Sequence, residues 1–195
     1  MIVGGFDAVE VLWLAFIAYW LVAARRTAST RVREGAASSL VSNGTLVLGA
    51  LLLLGSAFPL GPLDLRWVPP LSGTLAIGVV LTAAGLALAV WARWHLGRNW
   101  STQPSLKVDH QLIQTGPYGL VRHPIYSGLL LALLGTALYL GQYRALLGLA
   151  LFVAALWWKA RQEEGLLFTQ FGDDYQRHRR RTGMFLPRLR LHHTA

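Results

Sequence analysis

The sequence predicts an all-α, polytopic membrane protein of about five transmembrane helices, ending in a helical hairpin and a polar segment on the cytoplasmic side. Three observations carry this expectation. Of the 195 residues, 54% are hydrophobic and 14% charged, with a mean hydropathy of +0.43, whereas a soluble domain carries about 25% charged residues. The apolar residues are gathered into runs that approach the roughly 20 residues a helix needs to cross a bilayer core. Between the runs, basic residues alternate from dense to sparse, the pattern that orients a membrane chain.

The first run, residues 6–24, has Asp7 and Glu10 near its start and Arg25 and Arg26 at its far end. It lacks a basic start and a small-residue cleavage site, so it reads as a retained span and not a cleaved leader. Residues 39–58 form the second run. The third, 71–92, is free of charge and carries Gly78, Ala83, Gly85, Ala87 and Ala89, small residues that let another helix approach closely. Runs 125–140 and 145–158 are shorter. Gly141, Gln142, Tyr143 and Arg144 separate them, and the pair reads as a tight helical hairpin.

Charge orders these spans. The first loop holds Arg25, Arg26, Arg31 and Arg33, and the Pro-rich second holds Arg66 balanced by Asp64. The third, 93–124, holds Arg93, Arg98, Lys107 and Arg122. The fourth holds Arg144 alone, and the tail beyond Lys159 is densely basic. The alternation places the N-terminus outside and loops one and three and the tail in the cytoplasm. Two regions of one integrated membrane domain follow: three N-terminal helices in 1–92, and a polar functional region with the hairpin in 93–195.

Composition also excludes chemistries. With no cysteine, disulfides, a cysteine nucleophile, thiolate zinc sites and iron–sulfur clusters are ruled out. The net charge of +9 comes from 16 Arg and two Lys; in so apolar a chain, basic loops against anionic lipid explain it without nucleic acid. G-x-G is absent, and with it the dinucleotide fingerprint. No spacing of His and carboxylates suggests a metal, and His192-His193 reads as a loose terminus.

Two constellations remain. The third loop carries Trp94-His95-Leu96-Gly97, Trp100-Ser101, then Gly116-Pro117-Tyr118 and Arg122-His123-Pro124-Ile125-Tyr126-Ser127-Gly128. Proline keeps the residue before it out of the α region and suits a helix's first turn. Arg122 and His123 therefore sit at the mouth of the fourth span, where a helix N-terminus offers N–H groups to an anion. An interfacial Arg holding lipid phosphate, with Tyr118 and Tyr126 as belt residues, is the plainer alternative. The second constellation follows the fifth span: Glu163-Glu164, Phe171-Gly172, Tyr175 and Met184-Phe185-Leu186-Pro187. Glu163 has either a helix-surface pair with Lys159, worth a few tenths of a kcal/mol, or a role with its neighbour opposite Arg122 or a cationic ligand group. The hairpin brings both constellations to one end.

In this order the residues resemble the isoprenylcysteine carboxyl methyltransferase family and the related phospholipid methyltransferases, over about residues 94–188. The resemblance implies a methyltransferase using S-adenosylmethionine on a lipophilic or membrane-associated acceptor that enters from the bilayer, with membrane lipids as the remaining partners. It implies Arg122, Glu163 and Tyr126 at the reacting centre. Arg122, His123, Glu163 and Glu164 would hold the cofactor's amino-acid end and ribose. The loop at Gln111, Leu112 and Gly116 would line the adenine, and Tyr118 and Tyr126 would close the pocket. The basic tail, anchored at both ends, would cover the cofactor from the cytosol. Sterol-reductase-like enzymes using NADPH share the G-x-[YW] and R-H-P features, but show asparagine where this chain has Ile125 and lack the Glu pair. A non-enzymatic lipid-binding protein is the third alternative.

The topology is testable because the chain has no native cysteine. Single cysteines at Gly61 and Gly183 are expected to react with impermeant reagents from opposite sides, Gly61 from outside; reaction from the same side would sink the five-span arrangement.

Overall fold

The computed structural model describes residues 2–3, 6–24, 30–33, 36–54, 59–97, 105–107 and 112–188. Five helices carry the architecture: α1 (Ala8–Ala24), α2 (Ala36–Leu54), α3 (Ser72–Leu96), α4 (Pro124–Leu140) and α5 (Tyr143–Arg181). Two short antiparallel ribbons accompany them: β1 (Ile2–Val3) with β2 (Phe6–Asp7), and β3 (Thr30–Arg33) with β4 (Ser105–Lys107). By length and composition α3 and α5 are able to cross a membrane, and α1, α4 and the 43–53 stretch of α2 are shorter apolar helices.

The helices pair as α3 with α4 and α2 with α5, and α1 lies on α3. Small residues set the first pairing. A Cβ on Gly128 would lie 2.6 Å from Ala89 N, and one on Gly135 would lie 2.6 Å from Gly78 O. Backbones this close gain dispersion contacts along their length, the means by which helices associate where lipid removes the hydrophobic drive. Thr82 and Thr136 meet inside the seam at 3.4 Å, and Trp13 of α1 donates to Thr136 Oγ1 at 3.0 Å. Of the small residues in the third run, Gly78, Gly85 and Ala89 are buried in this seam, while Ala87 is exposed.

The connecting segments gather at the two ends of the bundle. At one end the second loop meets the α4–α5 turn: Trp67 N donates to Gly141 O at 2.9 Å and Tyr143 N to Leu65 O at 3.1 Å. At the other end β3 of the first loop pairs with β4 of the third. The tail joins them there, through Arg122 N to Gly183 O at 2.9 Å.

Several details differ from the sequence expectation. The α4–α5 turn is tight, because Gly141 ends α4 in the left-handed region (φ 64°) with its N–H on Ala137 O; the two helices touch, while α4 packs more extensively on α3 and α5 on α2. Arg144 is not a loop charge. It is buried in α5, donates to the carbonyls of Leu51 and Leu52, and pairs with Asp64 at 3.1 Å. A guanidinium on the last carbonyls of α2 meets both their unsatisfied acceptors and the helix dipole. Arg93 does the same at the opposite end, donating to Ala23 O at 2.8 Å and Gly97 O at 2.9 Å. The boundary expected at residues 92/93 thus falls inside α3, which runs on to Leu96. Finally, α5 does not stop at Trp158. At about 1.5 Å per residue its 39 residues far exceed the ~30 Å bilayer core, so its second half stands beyond the span. Gly172 (φ 46°, ψ −118°) breaks it in a conformation that favours glycine.

Substituting Gly85 by Leu is expected to force α3 and α4 apart and to destabilise the fold by about 1–3 kcal/mol, the usual cost of overpacking. Thermal melting in detergent reads this, and Ala87→Leu on the exposed face of the same helix should melt with the wild type.

Candidate active site

The start of α4 is set by local rules. Pro124 opens the helix, and His123 before it lies outside the α region (φ −124°, ψ 62°), from which the proline ring excludes it. Arg122 and His123 thus precede the first turn, and Tyr126 and Ser127 lie on it. Opposite them, α5 presents Glu163 and Glu164 from the part beyond the span.

The five expected residues Arg122, His123, Tyr126, Glu163 and Glu164 meet. Arg122 Nε lies 2.7 Å from Glu164 Oε1, with both side chains 8% exposed. Tyr126 donates its hydroxyl to Glu163 Oε1 at 2.6 Å, and His123 Nδ1 lies 3.2 Å from Glu163 Oε2. His123 stacks on Tyr126 with ring centroids 5.5 Å apart and planes 6° apart, and Phe185 meets both rings edge-on. Glu163 is therefore taken by α4 and not by Lys159, which overturns the helix-surface pair as its explanation.

The tail closes over this cluster through its backbone. Arg122 N donates to Gly183 O at 2.9 Å and His123 N to Met184 O at 3.1 Å. Arg122 Nη1 reaches Thr182 O at 2.6 Å, and Ser127 Oγ reaches Phe185 O at 2.7 Å. The N–H groups of Arg122 and His123 thus serve the tail and not an anion. Gly172 makes this possible: the break turns 173–181 back, so that Tyr175 and His178 are buried and Arg179 Nε comes within 3.8 Å of Glu164 Oε2.

Charge in the cluster is balanced. Burial opposes ionisation of Glu164, but His123 and Arg122 beside it outweigh burial and hold its carboxyl at about 2. Burial likewise opposes the imidazolium of His123, yet the Glu163 and Glu164 carboxylates raise its pKa above the ordinary value. His178 goes the other way, lowered by burial and by the charges of Arg122 and His123. Burial also raises the Tyr175 phenol, as does the nearby Glu164.

The donor set fits an amino-acid-bearing sulfonium nucleoside. Two carboxylates suit an ammonium and ribose hydroxyls, a guanidinium and an imidazolium suit a carboxylate, and stacked rings suit a base or a sulfonium. Capacity also remains unmet: His123 Nε2, 3.5 Å from Glu164 Oε1, and the Tyr175 hydroxyl are buried without a hydrogen-bond partner.

The remaining expected residues stand apart. Tyr118 is buried in an apolar cluster with Ala92 and Ile125, against which Tyr126 packs, and its hydroxyl lies 3.5 Å from Ala92 O. Leu112 is half-buried in the loop that leads there. Gly116 turns (φ 58°) against His95, whose Nε2 lies 2.9 Å from Thr115 Oγ1. Gln111 lies outside the described residues, as do Trp100-Ser101 and His192-His193. Ser127, Thr182 and Phe185 have no role in the sequence reading; the place of Ser127 and Phe185 in the R-H-P-I-Y-S-G and M-F-L-P motifs was the available signal, and Thr182 stands in neither. Among the described residues, no group of three His, Asp or Glu is placed to hold a metal.

The chain is 31% identical over 150 residues to the cobalt-zinc-cadmium resistance protein CzcN of Cupriavidus metallidurans, covering 76% of this chain and 62% of that protein. Its fold is similar to that of a eukaryotic intramembrane Ras methyltransferase, isoprenylcysteine carboxyl methyltransferase, with a TM-score of 0.50 and 21% identity, covering 77% of this chain and 50% of that one. The chain therefore spans about half to three-fifths of the length of these relatives. The family model described as phospholipid methyltransferase matches residues 74–174, α3 through the Glu pair to the helix break, and the chain belongs to that family of membrane methyltransferases.

Proposed function

We propose that this chain is an S-adenosylmethionine-dependent methyltransferase acting on a lipophilic or membrane-associated acceptor, with its cofactor held in region 93–195. The observation that carries the reading is the charge-balanced cluster of Arg122, His123, Tyr126, Glu163 and Glu164, buried under a backbone strap at one end of an apolar helix bundle. The cofactor supplies an electrophilic methyl group on a sulfonium; the protein's part is to bind, orient and exclude water. Arg122 and His123 hold a carboxylate. Glu163, more open than Glu164, accepts from an ammonium or a ribose hydroxyl, while Glu164 keeps Arg122 in place. Tyr126 orients Glu163 and presents its ring to the reacting centre. The loop at 111–116 lines the adenine, and Tyr118 closes the pocket together with Tyr126. The basic end of the bundle faces the cytoplasm in a five-span arrangement, and the acceptor reaches the site from the lipid.

Thermal shift is expected with S-adenosylhomocysteine and not with NADPH; the reverse would favour a reductase. Arg122→Ala and Glu163→Ala should each weaken S-adenosylhomocysteine at least tenfold by calorimetry, since unpairing a buried charge costs about 3–5 kcal/mol. Affinity within twofold of wild type for both would return these residues to a lipid-facing belt.

The protonation states give a second test. His123 has a raised pKa, so its contribution to stability is complete below 6.5 and is lost as pH rises through the higher folded value. Glu164 is depressed from 4.5 to about 2, so its contribution is present above 4.5 and lost as pH falls toward 2. The melting-temperature gap between wild type and His123→Gln is expected to narrow as pH rises from 6.5; a gap that widens would contradict the assignment.

A further inference from the structure

Beyond Gly172, residues 173–181 of α5 have two faces. Tyr175 and His178 are buried toward the candidate site, and Thr182 follows them inward. The outward positions are largely basic. Arg177 and Arg179 are exposed and take Asp174 and Glu164 as partners. Arg180 and Arg181 are exposed too, and among the described residues neither meets a carboxylate. Arg188, exposed as well, lies back over the helix and donates to Arg180 O at 2.7 Å. In the strap between them, residues 182–186, Leu186 is 79% exposed. The bridge of Val121 with Gly183 sets this strap beside Leu120, 58% exposed. Exposed apolar side chains accompanied by arginines are the composition of a segment that lies in a headgroup boundary.

The level of the strap in the bilayer follows from α4. That helix has 17 residues, about 26 Å, against a core of roughly 30 Å. In the five-span arrangement its start therefore lies at the bilayer boundary, and the strap is hydrogen-bonded to the two residues before it. Trp94, Trp157 and Trp158 are exposed at the same end, and Arg161 sits 5.6 Å over the Trp157 ring, a girdle that marks the headgroup layer. We propose that the strap docks on anionic phospholipid: Leu120 and Leu186 enter the boundary, Arg180, Arg181 and Arg188 meet lipid phosphates, and docking holds the strap closed over Arg122 and His123. A surface that binds the closed strap better than the open one shifts the balance toward closure by that difference. Closure pairs the Arg122 and His123 N–H groups with Gly183 O and Met184 O, so the charge of the membrane governs how firmly the site is assembled. A soluble anion matches one guanidinium; three cations beside two apolar side chains match a surface. The proposal rests on the membrane placement of α4 and not on the methyl-transfer chemistry.

The test uses the full chain, without cofactor, in nanodiscs of phosphatidylcholine alone and of an equal mixture with phosphatidylglycerol. Amide hydrogen exchange at Arg122 and His123, whose N–H groups the strap holds, is expected to slow about tenfold or more in the anionic discs. Arg180→Gln/Arg181→Gln should exchange alike in both discs, at the wild-type rate for neutral ones. Leu186→Ser should exchange at least about threefold faster than wild type in the anionic discs. Thermal melting establishes folding in each variant. Equal exchange by wild type in the two discs, or an undiminished lipid effect in either folded variant, would overturn the proposal. So would protection by pyrophosphate in neutral discs equal to that given by phosphatidylglycerol, which would mark a soluble-anion site. Labelling of single cysteines at Gly61 and Gln176 from the two sides tests the membrane placement by itself. Calorimetry with S-adenosylhomocysteine tests the chemistry, so failure of either is distinguishable from failure of the docking.

Discussion

A guanidinium and a carboxylate, each almost withdrawn from solvent, join the beginning of α4 to α5 through Arg122 and Glu164. Neither charge is tolerable in that setting alone. Each therefore constrains the element that carries it: Arg122 must precede the first turn of α4, and Glu164 must lie on a helix that continues past its span. Nη1 of Arg122 donates to the carbonyls of Thr182 and Arg179, which draws the tail into the same arrangement. Three segments distant in sequence are thereby held at one end of the bundle, and His123, Tyr126 and Phe185 stack in the space they enclose.

That end needs a rigid base, which the α3–α4 seam supplies. Glycine at 78, 85, 128 and 135 lets the two backbones approach until no Cβ fits at those four positions. A seam made of backbone cannot slide without clashes, so α4 and its N-terminal Arg-His pair are fixed relative to α3. The second helix pair, α2 with α5, is held at the far end by Arg144 on α2 carbonyls and Asp64. Charged residues are few in this chain, and those buried at the bundle ends fasten helix termini or build the site.

The fold likeness to an intramembrane methyltransferase and the match to the phospholipid methyltransferase family meet on the same segment, α3 through the Glu pair to the helix break. The more N-terminal helices lie outside the matched family segment. Function belongs to the site and not to the fold that carries it.

Hydropathy and charge by themselves determined that this is a helical membrane chain, because the length of a span and the density of basic loops are one-dimensional properties. The order of short motifs likewise determined which residues gather: Arg122, His123, Tyr126, Glu163 and Glu164 were all legible, since each motif sits at a helix end that the alternation of spans brings to one side. Partner choice was not legible. Asp64 pairs with Arg144 and not with nearby Arg66, and Glu163 turns to Tyr126 and not to Lys159. Arg93 leaves its expected loop to hold two helix ends together. The continuation of α5 and its break at Gly172 escaped as well, because a polar helix beyond a span has the composition of a loop. These outcomes depend on which helix faces meet. The close α3–α4 seam and the α2–α5 pairing decide that, and a buried charge accepts whichever partner packing brings within reach, not the one nearest in sequence.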